Sequence, residues 1–197
     1  MKKSTTLKYV AKVGVLSAVA AILMLFEIPL WFAPSFYELD LSELPILIGG
    51  FALGPLAAVL MELLKNLLNL LINGTTTAFV GEFANFVTGC ALVLPATLIY
   101  KYNKTRKGAI MGLVVGALSL VLVGAAINYF VLIPAFSSLY GMPVEAIVSM
   151  GTKVNGAITS LETLIVFAVM PFNLLKAAVC SLLTMLLYKR LSKILHI

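Results

Sequence analysis

Apolar residues run along this chain in long blocks, broken at a few points by proline, glycine and charge. The blocks have the length of helices rather than of strands. They predict a first helix over 8–26, ending at "EIPLWFAP", and then a loop carrying Trp31, Pro34, Tyr37, Glu38 and Asp40. A short block over 42–54 opens at "SELP" and closes at Gly54-Pro55; a third runs over 55–73 to Asn73-Gly74. A fourth covers 79–100 and is followed by the basic loop "KYNKTRK". The fifth covers 108–134, and the looser stretch "SSLYGMPVEAIVSMGTKVNGAITS" separates it from a sixth over 161–191. Strict apolar–polar alternation, the mark of a membrane β-barrel, is absent. The pattern therefore predicts one all-α membrane domain over 1–197 with six transmembrane helices.

Two blocks depart from a plain span. The 42–54 block is shorter than the about 20 residues that a crossing needs, so loop or tilt must supplement it. The fifth is over-long and contains "AINYFVLIPAF", with polar Asn128 ahead of Pro134. Irregular backbone at membrane depth is tolerated where it lines a cavity. Both irregularities lie toward the same half as the aromatic, acidic first loop, which predicts an outward-facing ligand pocket there.

Composition agrees with the class: of 197 residues 61% are hydrophobic and 11% charged, more apolar than a soluble domain can bury. The charges then set the topology. Lys2, Lys3, Lys8 and Lys12 form one basic cluster, Lys101, Lys104, Arg106 and Lys107 a second, and Lys189, Arg190 and Lys193 a third. Six crossings bring all three to one side, the cytoplasmic one by the positive-inside rule, with both termini. Glu27, Glu38, Asp40, Glu43 and Glu145 fall on the other side. The basic clusters are accounted for by topology and anionic lipid, and nucleic acid is not an expected partner. The "AVA" at 18–20 resembles a signal-peptide cleavage site but lies inside the first apolar block, so a first transmembrane helix is expected.

The inventory for chemistry is thin. Cys90 and Cys180 sit in apolar segments without a CxxC pair, and His196 is the single histidine, so neither a metal site nor a histidine-dependent catalytic group can be assembled. Glu82, Glu162 and Lys176 are the remaining candidates for catalysis and carry no recognisable motif. No GxxxxGK[ST] loop is present, so ATP hydrolysis in any active transport belongs to another subunit.

Polar residues inside the apolar blocks are more informative, because a charge at mid-helix costs ~2.5–3.5 kcal/mol on insertion scales. Glu62 and Lys65, spaced i, i+3, can neutralise each other. Asn66 and Asn69 suit helix–helix hydrogen bonds. Glu82, Asn85 and Thr88 follow on the fourth block, Asn128 on the fifth, and Asn173 and Lys176 on the sixth. Lys176 has no nearby acid on its own helix. It is expected either to pair with Glu62 or a carbonyl of another helix, or to face a ligand together with Asn173 and Asn128. On the first helix Gly14 and Ala18, and Ser17 and Ala21, form small-xxx-small pairs that let another helix approach.

Taken in order, "ELDLSELP", "FALGP", "LLKNLLN", "FANFVTG", "NYFVLIPAF" and "PFNLLKAAV" resemble the substrate-binding S components of energy-coupling factor (ECF) vitamin transporters, closest to the riboflavin-specific ones. The likeness covers about 8–191. It implies a non-enzymatic subunit that captures a vitamin from outside and delivers it inward when docked on a coupling protein and two ATPase subunits. By motif it carries ligand contacts onto Asn128, Asn173 and Lys176, more loosely onto Asn85, and in the first loop onto Tyr37, Glu38, Leu39 and Asp40. Gly14, Ala18 and Ala21 would meet the coupling protein. Riboflavin is then the transported ligand, with no cofactor, and FMN is a candidate second ligand. The competing readings are an S component for folate, thiamin or pantothenate, and a membrane channel or enzyme outside this family.

Overall fold

A computed structural model describes residues 2–34, 36–75 and 77–195, with side chains from Thr6 to Leu191. His196 and the side chains of Lys2, Lys3 and Lys193 lie outside the described residues. The chain is mostly helical. Helix α1 (Lys2–Met24) leads into a loop whose ends pair as two short antiparallel strands, β1 (Ile28–Pro29) and β2 (Glu38–Leu39), with Ile28 opposite Leu39. This pairing is absent from the all-α expectation, since two-residue strands leave no alternating pattern in the sequence. Then come α2 (Glu43–Leu53), α3 (Pro55–Asn73) and α4 (Val80–Tyr102). Among the described residues five helices are long and apolar enough to cross a membrane, and Glu43–Leu53 is a shorter apolar helix. At about 16 Å long, α2 covers roughly half of a hydrocarbon core of about 30 Å.

The fifth helix does not stop near Pro134. Helix α5 (Arg106–Ile127) passes through a π-helical turn (Asn128–Leu132) into α6 (Ile133–Tyr140). After α7 (Val144–Thr152) the last helix does the same: α8 (Leu161–Leu164), a π turn (Ile165–Val169), then α9 (Met170–Leu195). Each π turn ends two residues before a proline, Pro134 and Pro171. A proline inside an α-helix has no N–H to give and its ring meets the carbonyl four residues back. Here the N–H of the residue before each proline reaches five residues back, Ile133 to Asn128 O and Met170 to Ile165 O, and the widened turn lets the helix continue.

Close backbone contact joins α4 to α5. A side chain on Gly116 would run into the carbonyl oxygen of Leu92, and one on Gly112 into that of Ala96. Helices approach this closely only across small residues. One apolar core, around Ile46, Leu47, Met61, Leu92 and Leu113, fills the half of the bundle holding the basic clusters. A second, around Ile133, Ile158, Leu164, Val169 and Phe172, fills the other half. Leu56, Leu71, Phe130 and Leu182 project outward as part of a broad apolar exterior, as hydrocarbon requires and water would not tolerate.

The two ends of the bundle differ. At one end Tyr9, the α2–α3 turn, Lys101 and Lys104 surround a cleft of about 450 Å³. Tyr188 of α9 meets Phe51 and Tyr100 edge-on there, with ring centroids 5.4 and 5.6 Å away. The N-terminal half of α1, the 101–107 loop and the end of α9 thus gather at one end. The first loop, with its carboxylates, lies at the other.

Candidate functional site

At the acidic end a cavity of about 370 Å³ opens between the first loop, the start of α4, the π turn after α5 and the start of α9. Its size suits a small molecule. Asn85, Asn128, Asn173, Lys176, Tyr37, Glu38 and Asp40 all line it, residues drawn from positions up to 139 apart in the chain.

The two π turns bring the asparagines together. Asn128 opens the first, and Asn173 follows the second by one helical turn. Each amide spends one N–H on its own helix: Asn128 Nδ2 donates to Gly124 O at 2.8 Å and Asn173 Nδ2 to Val169 O at 3.0 Å. Asn128 Oδ1 accepts from the Tyr37 hydroxyl at 2.6 Å. The Tyr37 ring leans on Phe172, centroids 5.3 Å apart. Gly124 makes the convergence possible, because a Cβ there would lie 2.7 Å from Asn173 Nδ2. Asn173 therefore offers an oriented oxygen acceptor and one N–H, and Asn128 one N–H, toward the cavity.

Lys176 departs from the expectation. Its ammonium donates to Asp40 Oδ2 at 2.8 Å, so it neither pairs with Glu62 nor lacks a protein counter-ion. The reason is the path of the first loop, which folds over the start of α9 and lowers Asp40 into contact. Asp40 Oδ1 accepts from the Ser42 N–H at 2.8 Å, so the carboxylate is held from both sides. Burial raises the affinity of Asp40 for a proton, but the ammonium groups of Lys176 and Lys65 outweigh it and hold its pKa down to about 2. The Lys176 side chain is 12% exposed, and its ammonium keeps donors beyond the one given to Asp40.

Glu62 and Lys65 do pair, at 2.8 Å, as their spacing predicts. A third member was not foreseen: Glu43 of α2 also reaches Lys65 at 2.8 Å. All three side chains are essentially fully buried, and Glu43 links this cluster to the cavity wall. Gly89 of α4 admits the Glu62 carboxylate, which would collide with any side chain there. These glycines carried no sequence signal beyond being small, whereas Phe36 and Phe136 of the aromatic wall come from the aromatic first loop and the "NYFVLIPAF" stretch that the sequence singles out.

Three further expectations change. Leu39 does not line the cavity: alternation along β2 turns it away from Glu38 and Asp40, and it is buried in the second core. Ala21, with Ser17, is buried within the bundle, at 2% and 1% exposure, so that pair serves internal packing. Gly14 and Ala18 face outward from α1, and the space beside Gly14 is open. Glu27, at the mouth, was seen only as a topological charge. Partial burial, and then its hydrogen bond to Glu38, push its pKa up to about 7.

The family model for the ECF transporter substrate-specific component matches residues 8–188. The riboflavin transporter RibU of Staphylococcus aureus (strain TCH60) is 37% identical over 188 residues, covering 95% of this chain and 92% of that protein. The riboflavin transporter FmnP of Bacillus subtilis (strain 168) is 28% identical over 185 residues, 93% of this chain and 92% of that one. A solved structure of the S component of a bacterial ECF transporter superposes with a TM-score of 0.75 at 34% identity, over 96% of this chain and 98% of that one. That family comprises transporter components rather than enzymes, and with its model matched across nearly the whole length, this chain belongs to the ECF transporter substrate-specific components.

Proposed function

We propose that the protein is the riboflavin-binding S component of an ECF importer, resident in the plasma membrane of a prokaryote. The observation that carries this reading is the convergence of Asn128, Asn173 and Lys176 in one cavity, in a chain whose relatives are named riboflavin transporters. The flavin ring system is flat, with an apolar dimethylbenzene end and, opposite, an N–H set between two carbonyls. Asn173 Oδ1 accepts from that N–H, and the spare donors of Lys176 and Asn128 serve the carbonyls and a ring nitrogen. Tyr37, Phe36 and Phe172 cover the ring faces. Asn85 and Glu38 face the ribityl chain toward the mouth. Lys176 thus has two partners, Asp40 permanently and the ligand when bound.

Six crossings, counting the short α2 as one, place both termini and the 101–107 loop in the cytoplasm and the cavity outside. The gathering of basic residues at the end away from the cavity supports this orientation. Gly14 and Ala18 then form the close-approach face for the coupling protein, which with two ATPase subunits drives release inward. Riboflavin titration of the purified protein, followed by quenching of flavin fluorescence and run beside folate, thiamin and pantothenate, tests the reading. Saturable quenching is expected with riboflavin and competition from none of the others.

A further inference from the structure

Two buried ion-pair groups adjoin inside the bundle: Asp40 with Lys176, and Glu43 and Glu62 with Lys65. Lys65 also acts on Asp40. Three acids thus face two ammonium groups. Fully ionised, the set would carry one uncompensated negative charge among apolar helices, a costly arrangement. The neighbouring elements bring no further cation among the described residues. Helix α4 contributes the thiol of Cys90, α9 the thiol of Cys180 beside Lys176, and α1 has no titratable side chain beyond Lys12. The hydrogen bonds single out Glu62. Lys65 Nζ donates to Glu43 Oε1 at 2.8 Å. Glu62 Oε2 lies 2.8 Å from the same nitrogen, yet neither Glu62 oxygen receives a directed hydrogen bond among the described residues. Glu43 Oε2 is equally without a donor. The two carboxyl groups lie within hydrogen-bonding reach of each other. Glu62 is fully buried, and the Gly89 backbone packs against its carboxyl group. Like charges in such contact do not both ionise.

We propose that this cluster is a proton-binding site, occupied in the folded protein at neutral pH, with the proton on Glu62 and donated to Glu43. That proton supplies the donor that the bare Glu43 oxygen lacks. It leaves Glu62 neutral, with a carbonyl oxygen that still accepts from Lys65. It also brings the five side chains to zero net charge, Lys176 balancing Asp40 and Lys65 balancing Glu43. A bound sodium ion would balance the charge as well, but it would stand between two carboxyl groups that the fold holds in direct reach of each other. Glu43 lines the cavity, so the path of the proton to solvent runs through the cavity wall. The site lies apart from the proposed ligand contacts and does not depend on which vitamin the cavity takes.

Infrared spectroscopy of the purified full chain tests the site, because the C=O stretch of a protonated carboxyl group stands apart from carboxylate and amide bands and shifts in D2O. A Glu27→Gln parent is used, since Glu27 at the cavity mouth takes up its own proton near pH 7. The parent is expected to show a protonated-carboxyl band at neutral pH that disappears when Glu62→Gln is added. Glu62→Gln is also expected to keep the parent's thermal midpoint, because its amide N–H replaces the carboxyl O–H toward Glu43. Glu43→Gln is expected to lower the midpoint by leaving Lys65 without its anion. Should Glu62→Gln fold poorly, Glu62→Asp retains a carboxyl group and is expected to move the band rather than remove it. Absence of the band in the parent, or a band unmoved by both Glu62 variants, overturns the proposal. Absence of the band with a thermal midpoint that rises with sodium at constant ionic strength overturns it in favour of a bound cation.

Discussion

Lys176 shows at the residue scale how a misplaced partner changes an account without emptying it. From sequence its ammonium lacked a counter-ion; in the fold Asp40 supplies one at 2.8 Å from 136 positions away. No local spacing could have revealed that pair, whereas the i, i+3 spacing of Glu62 and Lys65 made theirs legible. The two roles left to Lys176, holding Asp40 and meeting a ligand, separate in a double-mutant cycle. Lys176→Ala is expected to weaken riboflavin binding tenfold or more, about 1.4 kcal/mol. Adding Asp40→Asn, which removes the unpaired charge, is expected to recover stability but not affinity. Full recovery of affinity in the double variant would reduce Lys176 to a structural partner of Asp40.

Glu27 gives a pH prediction at the same scale. Its pKa is raised from about 4.5 to about 7 in the folded protein. The folded state therefore holds this proton more tightly than the unfolded state. The associated stability is fully present below about pH 4.5 and is lost as pH rises through about 7. Glu27→Gln is expected to flatten that part of the pH profile of the thermal midpoint in detergent. A profile with the same slope in the variant would assign the dependence to another group.

At the scale of elements, the apolar blocks read directly as helices because hydrocarbon leaves the backbone few alternatives. Their internal irregularities read less well. Asn128 and Pro134 signalled disturbance, yet the outcome is a π turn that preserves the helix and aims Asn128 at the cavity. The matching turn before Pro171 carried no signal beyond the proline. The α4–α5 contact was missed because Gly112 and Gly116 read as ordinary apolar-block residues, while the small pairs on α1 divided into an outward pair and a buried one. Gly116→Val is expected to cost roughly 1–3 kcal/mol, since the new side chain meets the Leu92 backbone rather than a movable side chain. A thermal midpoint equal to wild type would show that α4 and α5 can part without loss.

Over the whole molecule, the distribution of charge was the most legible feature. The basic clusters belong to segments far apart in sequence, and packing brings Tyr9, Lys101, Lys104 and Tyr188 to one end with the cavity at the other. Single cysteines placed in a Cys90→Ser, Cys180→Ser background test the proposed orientation in intact cells. One at Lys104 is expected to resist an impermeant thiol reagent and one at Trp31, which is 90% exposed, to react. The opposite labelling pattern would invert the topology.

The cavity itself was legible only in part: Asn128, Asn173 and Lys176 stood out as polar groups in apolar surroundings and the first loop as aromatic, but Gly124 and Gly89, which make room for Asn173 and Glu62, did not. The claim that joins all three scales is that this cavity holds riboflavin. Its most direct test is fluorescence titration of the purified wild-type protein. Saturable, stoichiometric quenching at submicromolar riboflavin, lost in large part in Lys176→Ala, is the expected result; undiminished flavin fluorescence at micromolar protein would contradict it.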